Sequence, residues 1–219
     1  MDFSRVNWDK LQEKTIETLV MAGYALIAVL VLGIILGLLL YLTSKSSNKF
    51  VQVIYTIITA IVNIFRAIPF IILIVLLIPL TKALVGTMIG AQAAIPALIV
   101  SAAPFYARLV EIALREVDKG VIEAAKAMGA KNITIITKVL LPESKPALIS
   151  GLTVTAIALI GSTAMAGVIG AGGLGNLAYL DGFQRNNNAV TVVSTVVILI
   201  IVFALQYLGD YIVKRVDKR

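Results

Sequence analysis

Residues 170–175 read Gly-Ala-Gly-Gly-Leu-Gly, a literal G-x-G-x-x-G. In a dinucleotide-binding fold that spacing brings backbone N–H groups against a pyrophosphate. The chemistry also needs a preceding strand, a following helix and an acidic residue about 20 positions on. Here the glycines follow a long uncharged stretch, and the region near Thr191 already belongs to the next one. The nucleotide reading is rejected, and the glycines are expected to form a tight re-entry turn. The other phosphate cradle, G-x-x-x-x-G-K-[ST], is absent, because the chain contains no Gly-Lys dipeptide. There is no His and no Cys, which removes Ser-His-Asp triads, thiolate nucleophiles, disulfides and the metal sites built on those ligands. No catalytic, metal or cofactor site is expected on this chain.

A second pattern is mechanical. Val121, Ala124, Ala125 and Met128 recur at helical spacing, and Gly129 stands where a C-cap glycine belongs. Asn132 is placed to cap a second helix carrying Ile133, Ile136 and Leu140. Pro142 is expected to stop that helix and Pro146 to open the next. The result is two short helices set at an angle around Gly129. Periodicity alone fits either an amphipathic pair on a membrane surface or a knob seated on a soluble partner. In the second case Ala124 and Ala125 permit close approach and Glu123 offers a charge.

The elements that must position these residues are membrane spans. Of 219 residues, 59% are apolar and 14% charged, with mean hydropathy +0.98. A soluble domain is nearer 45–50% apolar and about 25% charged, so a water-soluble globule and a disordered chain are both excluded. Runs of about 20 apolar residues cross a bilayer as helices, because an open sheet in lipid leaves backbone groups unpaired. Five such runs are expected, over about 19–42, 54–81, 88–107, 147–171 and 189–209. Residues 1–18, mixing charges with Trp8, are expected to form an interfacial segment. The membrane domain is bounded at 15–209, with a connection at 108–146 and a tail at 210–219. With the N-terminus outside, 13 Lys and Arg fall on inner segments against 5 on outer ones, which sets the orientation as N-out, C-in. The net charge of +7 is thereby assigned to lipid-facing inner loops, and nucleic acid is not an expected partner.

Within the spans, Arg66 is the one charge deep in an apolar run. It is expected near the inner headgroups or at the inner mouth of a pathway. The fourth span is rich in small residues, and a permeation path is expected there. In this reading Met165 is an apolar gate, Ser162 and Thr163 line the polar side, and Gly167 allows close approach. Asp181 and Arg185, in the outer connection, are candidate docking groups for an external protein.

Glu123-Ala124-Ala125, Gly129, then nine residues to Val139-Leu140-Leu141-Pro142 resemble the EAA loop of ABC-importer permeases. Residues 63–73 (NIFRAIPFIIL), 89–111 (IGAQAAIPALIVSAAPFYARLVE) and 170–179 (GAGGLGNLAY) are similar to the methionine-importer permeases in particular. The resemblance implies an all-α membrane protein with five spans per subunit, of the type I ABC importer permease fold, in the bacterial cytoplasmic membrane. It implies a homodimer, two ATPase subunits carrying ATP and Mg, and an extracytoplasmic methionine-binding lipoprotein. It implies ATPase coupling by Glu123, Ala124, Ala125, Met128, Gly129, Leu141 and Pro142. The implied activity is ATP-driven uptake of L- and D-methionine by alternating access, with hydrolysis on another polypeptide. The alternatives are an ABC permease for another amino acid or small solute, and an ion-coupled secondary transporter. The absence of His and of acids inside the expected spans one, three, four and five disfavours proton coupling.

Overall fold

A computed structural model describes residues 3–217; Asp2, Lys218 and Arg219, which entered the charge reading, lie outside the described residues. The described chain is helical, with no strand. In order it forms α1 (Trp8–Ser44), α2 (Lys49–Ala67), α3 (Phe70–Leu76), α4 (Ile78–Val85), α5 (Ala91–Arg115) and α6 (Lys119–Ala127). There follow α7 (Asn132–Ile135), α8 (Leu141–Ala166), α9 (Gly173–Asn176) and α10 (Asn188–Val216). Wide π turns over Ile136–Leu140, Gly167–Ala171 and Leu177–Gln184 join α7 to α8 and flank α9. Five segments are long and apolar enough to cross a membrane: α1, α2, α5, the run Asn132–Ala171 that contains α8, and α10.

The core lies where α1 and α5 run side by side. Gly33 and Gly37 allow the approach: a Cβ on Gly37 would press on the Val110 side chain and the Ala107 carbonyl. Met21, Ala25 and Val29 of α1 are buried against Ala94, Ala97, Leu98, Tyr106 and Val110 of α5. The Tyr106 hydroxyl donates to the Leu148 carbonyl at 3.2 Å, tying α5 to α8. Apolar side chains on the other faces, such as Tyr24, Ile27, Leu84, Phe203 and Tyr207, are exposed, as they must be when lipid replaces water.

Several expected boundaries differ from those observed. Among the described residues of the interfacial segment expected at 1–18, Phe3–Arg5 form a single 3-10 turn and the remainder is no separate helix. From Trp8 it is continuous with the first span, and at a rise of ~1.5 Å per residue α1 is about 55 Å long, well beyond a 30 Å hydrocarbon core. The expected second span, 54–81, is broken. Ile68 is extended (φ −74°, ψ 123°), because the residue before Pro69 is pushed out of the helical region. Hydropathy does not register such a break. Conversely, Pro142 stops nothing and Pro146 opens nothing. The π turn over Ile136–Leu140 widens the backbone ahead of Pro142, and Pro146 sits inside α8. Finally, the expected tail 210–219 is helical through Val216, and the connection 108–146 loses residues 108–115 to α5.

Candidate functional site

At the inner end the Asp118 carboxylate accepts from the Gly120 N–H at 2.5 Å and starts α6. Gly129 ends it with φ +79°. The Gly129 N–H donates to the Lys126 carbonyl at 2.9 Å, and the Ala130 N–H to the Ala125 carbonyl at 3.1 Å. A Cβ on Gly129 would meet nothing within 4 Å, so backbone conformation alone demands glycine there. The expected apolar face divides in two. Ala125 is buried and Ile122 half-buried against the inner end of α1, whereas Val121, Ala124 and Met128 are exposed, Met128 to 82%. Glu123 is exposed beside them. Asn132 does not cap α7: Lys131 holds the cap position without a side-chain bond, and Asn132 is the first helical residue. Ile135 and Leu140 are buried with Tyr41 of α1, while Leu141 and Pro142 are half-buried at the root of α8. The tip is a rigid helix pair with an apolar outer edge and an anchored base.

Just above it, Glu111 is fully buried between two guanidiniums on its own helix. Arg108 Nη1 donates at 2.5 Å and Arg115 Nη2 at 2.5 Å, and Arg115 Nη2 also reaches the Tyr55 hydroxyl of α2 at 3.2 Å. The sequence reading missed this group by ending the third span at residue 107. The i, i+3 and i, i+4 spacing of Arg108, Glu111 and Arg115 was the available signal.

At the outer end the GAGGLG segment forms the expected tight turn, with positive φ at Gly170 (+96°), Gly172 (+81°) and Gly173 (+75°). Glu17 Oε2 accepts from the Gly173 N–H at 2.7 Å, and Thr18 Oγ1 accepts from the Leu174 N–H at 2.9 Å. Two N–H groups that α9 cannot satisfy internally are thus capped by a different helix. Neither Glu17 nor Thr18 stood out in the sequence, since capping at a separation of 156 residues leaves no local pattern. Gly167 is buried, and its carbonyl accepts from Asn176 Nδ2 at 2.9 Å. It seats the turn and does not face a path. Asp181 is also consumed internally. It pairs with Lys10 of α1 and with Arg185 Nη1 at 2.8 Å, leaving its side chain only 15% exposed. Of the two expected docking groups, only Arg185 projects outward.

Between the two ends lies a cavity of about 330 Å³ among α2, α5 and α8, lined by Arg66, Phe65, Ser101, Phe105 and Ser162 among others. Arg66 lies in the last turn of α2, 17 positions beyond Lys49, with its exposed side chain at the cavity beside α5 and α8. Ser162 lines this space as expected. Thr163 does not: it is buried, and its hydroxyl donates to the Ile160 carbonyl at 2.7 Å. Met165 is 52% exposed, on an open face of α8 with Val154 and Gly161, and Ala158 on the same side of the helix lines the cavity. Two of the four expected gate residues, Ser162 and Met165, therefore face open space.

Residues 29–219 match the family described as binding-protein-dependent transport system inner membrane component. Over 131 residues the chain is 72% identical to the methionine import system permease protein MetP of Bacillus subtilis (strain 168). Over 131 residues it is 53% identical to a probable D-methionine transport system permease protein MetI of Pasteurella multocida (strain Pm70). Those segments cover 60% of this chain and 59% and 60% of the two relatives. Among solved structures, a chain of an inward-facing MetNI methionine ABC transporter superposes with TM-score 0.91 at 46% identity, over 95% of this chain and 96% of that one. A chain from an amino acid ABC transporter with histidines superposes with TM-score 0.78 at 20% identity, a likeness of fold alone.

Proposed function

The chain belongs to the binding-protein-dependent transport system inner membrane components, and on that ground we propose that it is the permease subunit of an ATP-driven importer carrying methionine across the cytoplasmic membrane. Its five apolar helices and its superposition on the MetNI chain give it the type I ABC importer fold expected from the sequence. The observation that carries the coupling role is the tip: Val121, Ala124 and Met128 are exposed on a helix pair whose opposite face is locked to the bundle. Apolar side chains on a rigid inner projection lose water contact when a soluble subunit covers them. In this reading two ATPase subunits hold the tips of two copies of the chain, with Glu123 at the rim of each contact. An external binding protein delivers the solute to the outer face, where Arg185, ion-paired with Asp181, is the exposed charge. Closure of the ATPases on ATP moves the tips, and the spans rock between inward- and outward-open states.

Methionine as the solute is supported by the likeness to MetP and to the MetNI chain. Proton coupling is disfavoured, because Glu111, the buried acid of α5, is held in ion pairs with Arg108 and Arg115. Met165, on the open face of α8, is the gate in this reading, meeting its copy near a two-fold axis. Replacing it with Ala then raises solute leak or ATP hydrolysis without transport.

The whole reading is tested by reconstitution. The chain, purified with its ATPase and embedded in vesicles with the binding protein, is expected to accumulate labelled methionine only when ATP is supplied. Accumulation driven by an ion gradient without ATP, or purification without any stoichiometric ATPase, overturns it.

A further inference from the structure

Arg66 presents a problem of charge. An Arg deep in a membrane helix costs about 2.5–3.5 kcal/mol on insertion scales and is ordinarily paired. Among the described residues Arg66 makes no ion pair and no hydrogen bond, while the Asp and Glu of the charged clusters pair elsewhere. Its surroundings are specific. The Ser101 hydroxyl has no partner among the described residues. The Ser162 hydroxyl donates its hydrogen bond to the Ala158 carbonyl at 3.0 Å, so toward the cavity it offers only lone pairs. Phe65 and Phe105 supply the apolar wall. At about 330 Å³ the cavity lies at the small end of ligand pockets, which run from roughly 300 to 1,000 Å³.

We propose that this cavity is a transit subsite for an α-amino-acid zwitterion, in which Arg66 takes the carboxylate. The inference rests on the permease reading above and adds to it the group that the pathway recognises. The planar guanidinium meets a carboxylate with two parallel N–H donors, and Ser101 donates a third hydrogen bond to the same group. Ser162, a pure acceptor here, accepts a hydrogen bond from the ammonium. The two aromatic rings receive the side chain, and a thioether in particular, since sulfur packs favourably at ring edges. The carboxylate supplies the missing counter-charge only while solute is present. The site therefore neutralises a charge that the empty protein leaves exposed, and it holds the solute without any acid of its own to trap the ammonium.

The chain has no cysteine, so one introduced thiol reports on the cavity alone within this subunit. The Ala158→Cys variant, in the complete vesicle-embedded complex, is labelled with a small methanethiosulfonate reagent in the presence of L-methionine or L-methioninamide, which lacks the carboxylate. L-methionine is expected to slow labelling of this subunit at least threefold, and the amide to leave it unchanged. Adding Arg66→Gln abolishes the protection, and Arg66→Lys keeps part of it. In uptake assays with wild-type Ala158, Arg66→Gln is expected to lower transport at least tenfold while stimulation of the ATPase by loaded binding protein persists. Equal protection by acid and amide, or protection that survives Arg66→Gln, overturns the subsite. If Arg66→Gln does not assemble, the acid-against-amide contrast in the Ala158→Cys protein still decides. A wild-type complex without ATP-driven methionine uptake overturns the permease reading instead. Uptake that persists with no protection overturns the subsite alone.

Discussion

The inner tip and the outer turn both depend on glycine, for opposite reasons. Gly129 sits in open space and is needed only because its φ is positive. Gly175, at the outer end, has little room: a Cβ there would collide with the Ala164 backbone, and one on Gly167 would meet the backbones of Gly172 and Gly175. One region uses glycine to turn and remain accessible, the other to let two stretches of main chain touch. The difference follows from what each end must do. In the proposed reading a projection that receives force presents its side chains to a partner, whereas a turn that closes the outer end excludes water and lipid from its own backbone. Exposure confirms the contrast, since Met128 is 82% exposed while Leu174 is fully buried.

If this contrast is right, single substitutions at the two ends fail in different ways. The largest effect is expected from Gly175→Ala. Overpacking a tight core usually costs about 1–3 kcal/mol, and a backbone collision stands at or above the top of that range. Folded protein in detergent should melt markedly lower or fail to accumulate; an unchanged melting temperature would show that the turn yields. Next is Gly129→Val. The left-handed conformation costs an L-residue roughly 1–2 kcal/mol, and more for a β-branched one. Here membrane insertion should persist and melting should fall modestly, while ATP-driven uptake falls to background. Normal uptake by this variant would separate the tip from coupling altogether.

A smaller loss is expected from Glu17→Ala, which leaves the Gly173 N–H without its acceptor. A half-buried donor orphaned in this way costs about 1–3 kcal/mol, and Glu17→Gln, which keeps an acceptor, should recover part of it. Both are read by thermal melting and by hydrogen exchange at Gly173. The smallest effect is expected from Lys10→Ala. Its ion pair with Asp181 lies partly in solvent, where such pairs contribute about 0–1 kcal/mol and weaken with salt. A loss larger than that of Glu17→Ala would place the main fastening of the turn at Lys10.

Much of this architecture is written in local pattern. Five apolar runs, the uncharged stretch from Leu19 to Leu42, and the Glu-Ala-Ala to Gly129 spacing were legible because hydropathy and turn chemistry are local properties. The failures share a cause. Whether Val121 or Ile122 faces the bundle depends on helix phase relative to a neighbour, and small residues look alike whether they line a path or fill a contact. Thr163 and Gly167 were misplaced for that reason. The depth of Arg66 depended on where its span began. Because α2 starts at Lys49, Arg66 lies roughly 25 Å along its axis. Asp181 looked available because its partner Lys10 is 171 positions away. The break at Ile68–Pro69 could have been read directly, since a residue before proline rarely stays helical.

The length of α1 has one further consequence. No proline interrupts its 37 residues. Its outer turns cap α9 through Glu17 and Thr18, its middle is buried against α5, and its inner end, at Tyr41, packs on Ala125 and Ile135. Such a rod pivots like a seesaw: a tilt of about 10° about its midpoint carries each tip roughly 5 Å in opposite directions. The outer turn and the inner tip are therefore packed against two ends of one beam.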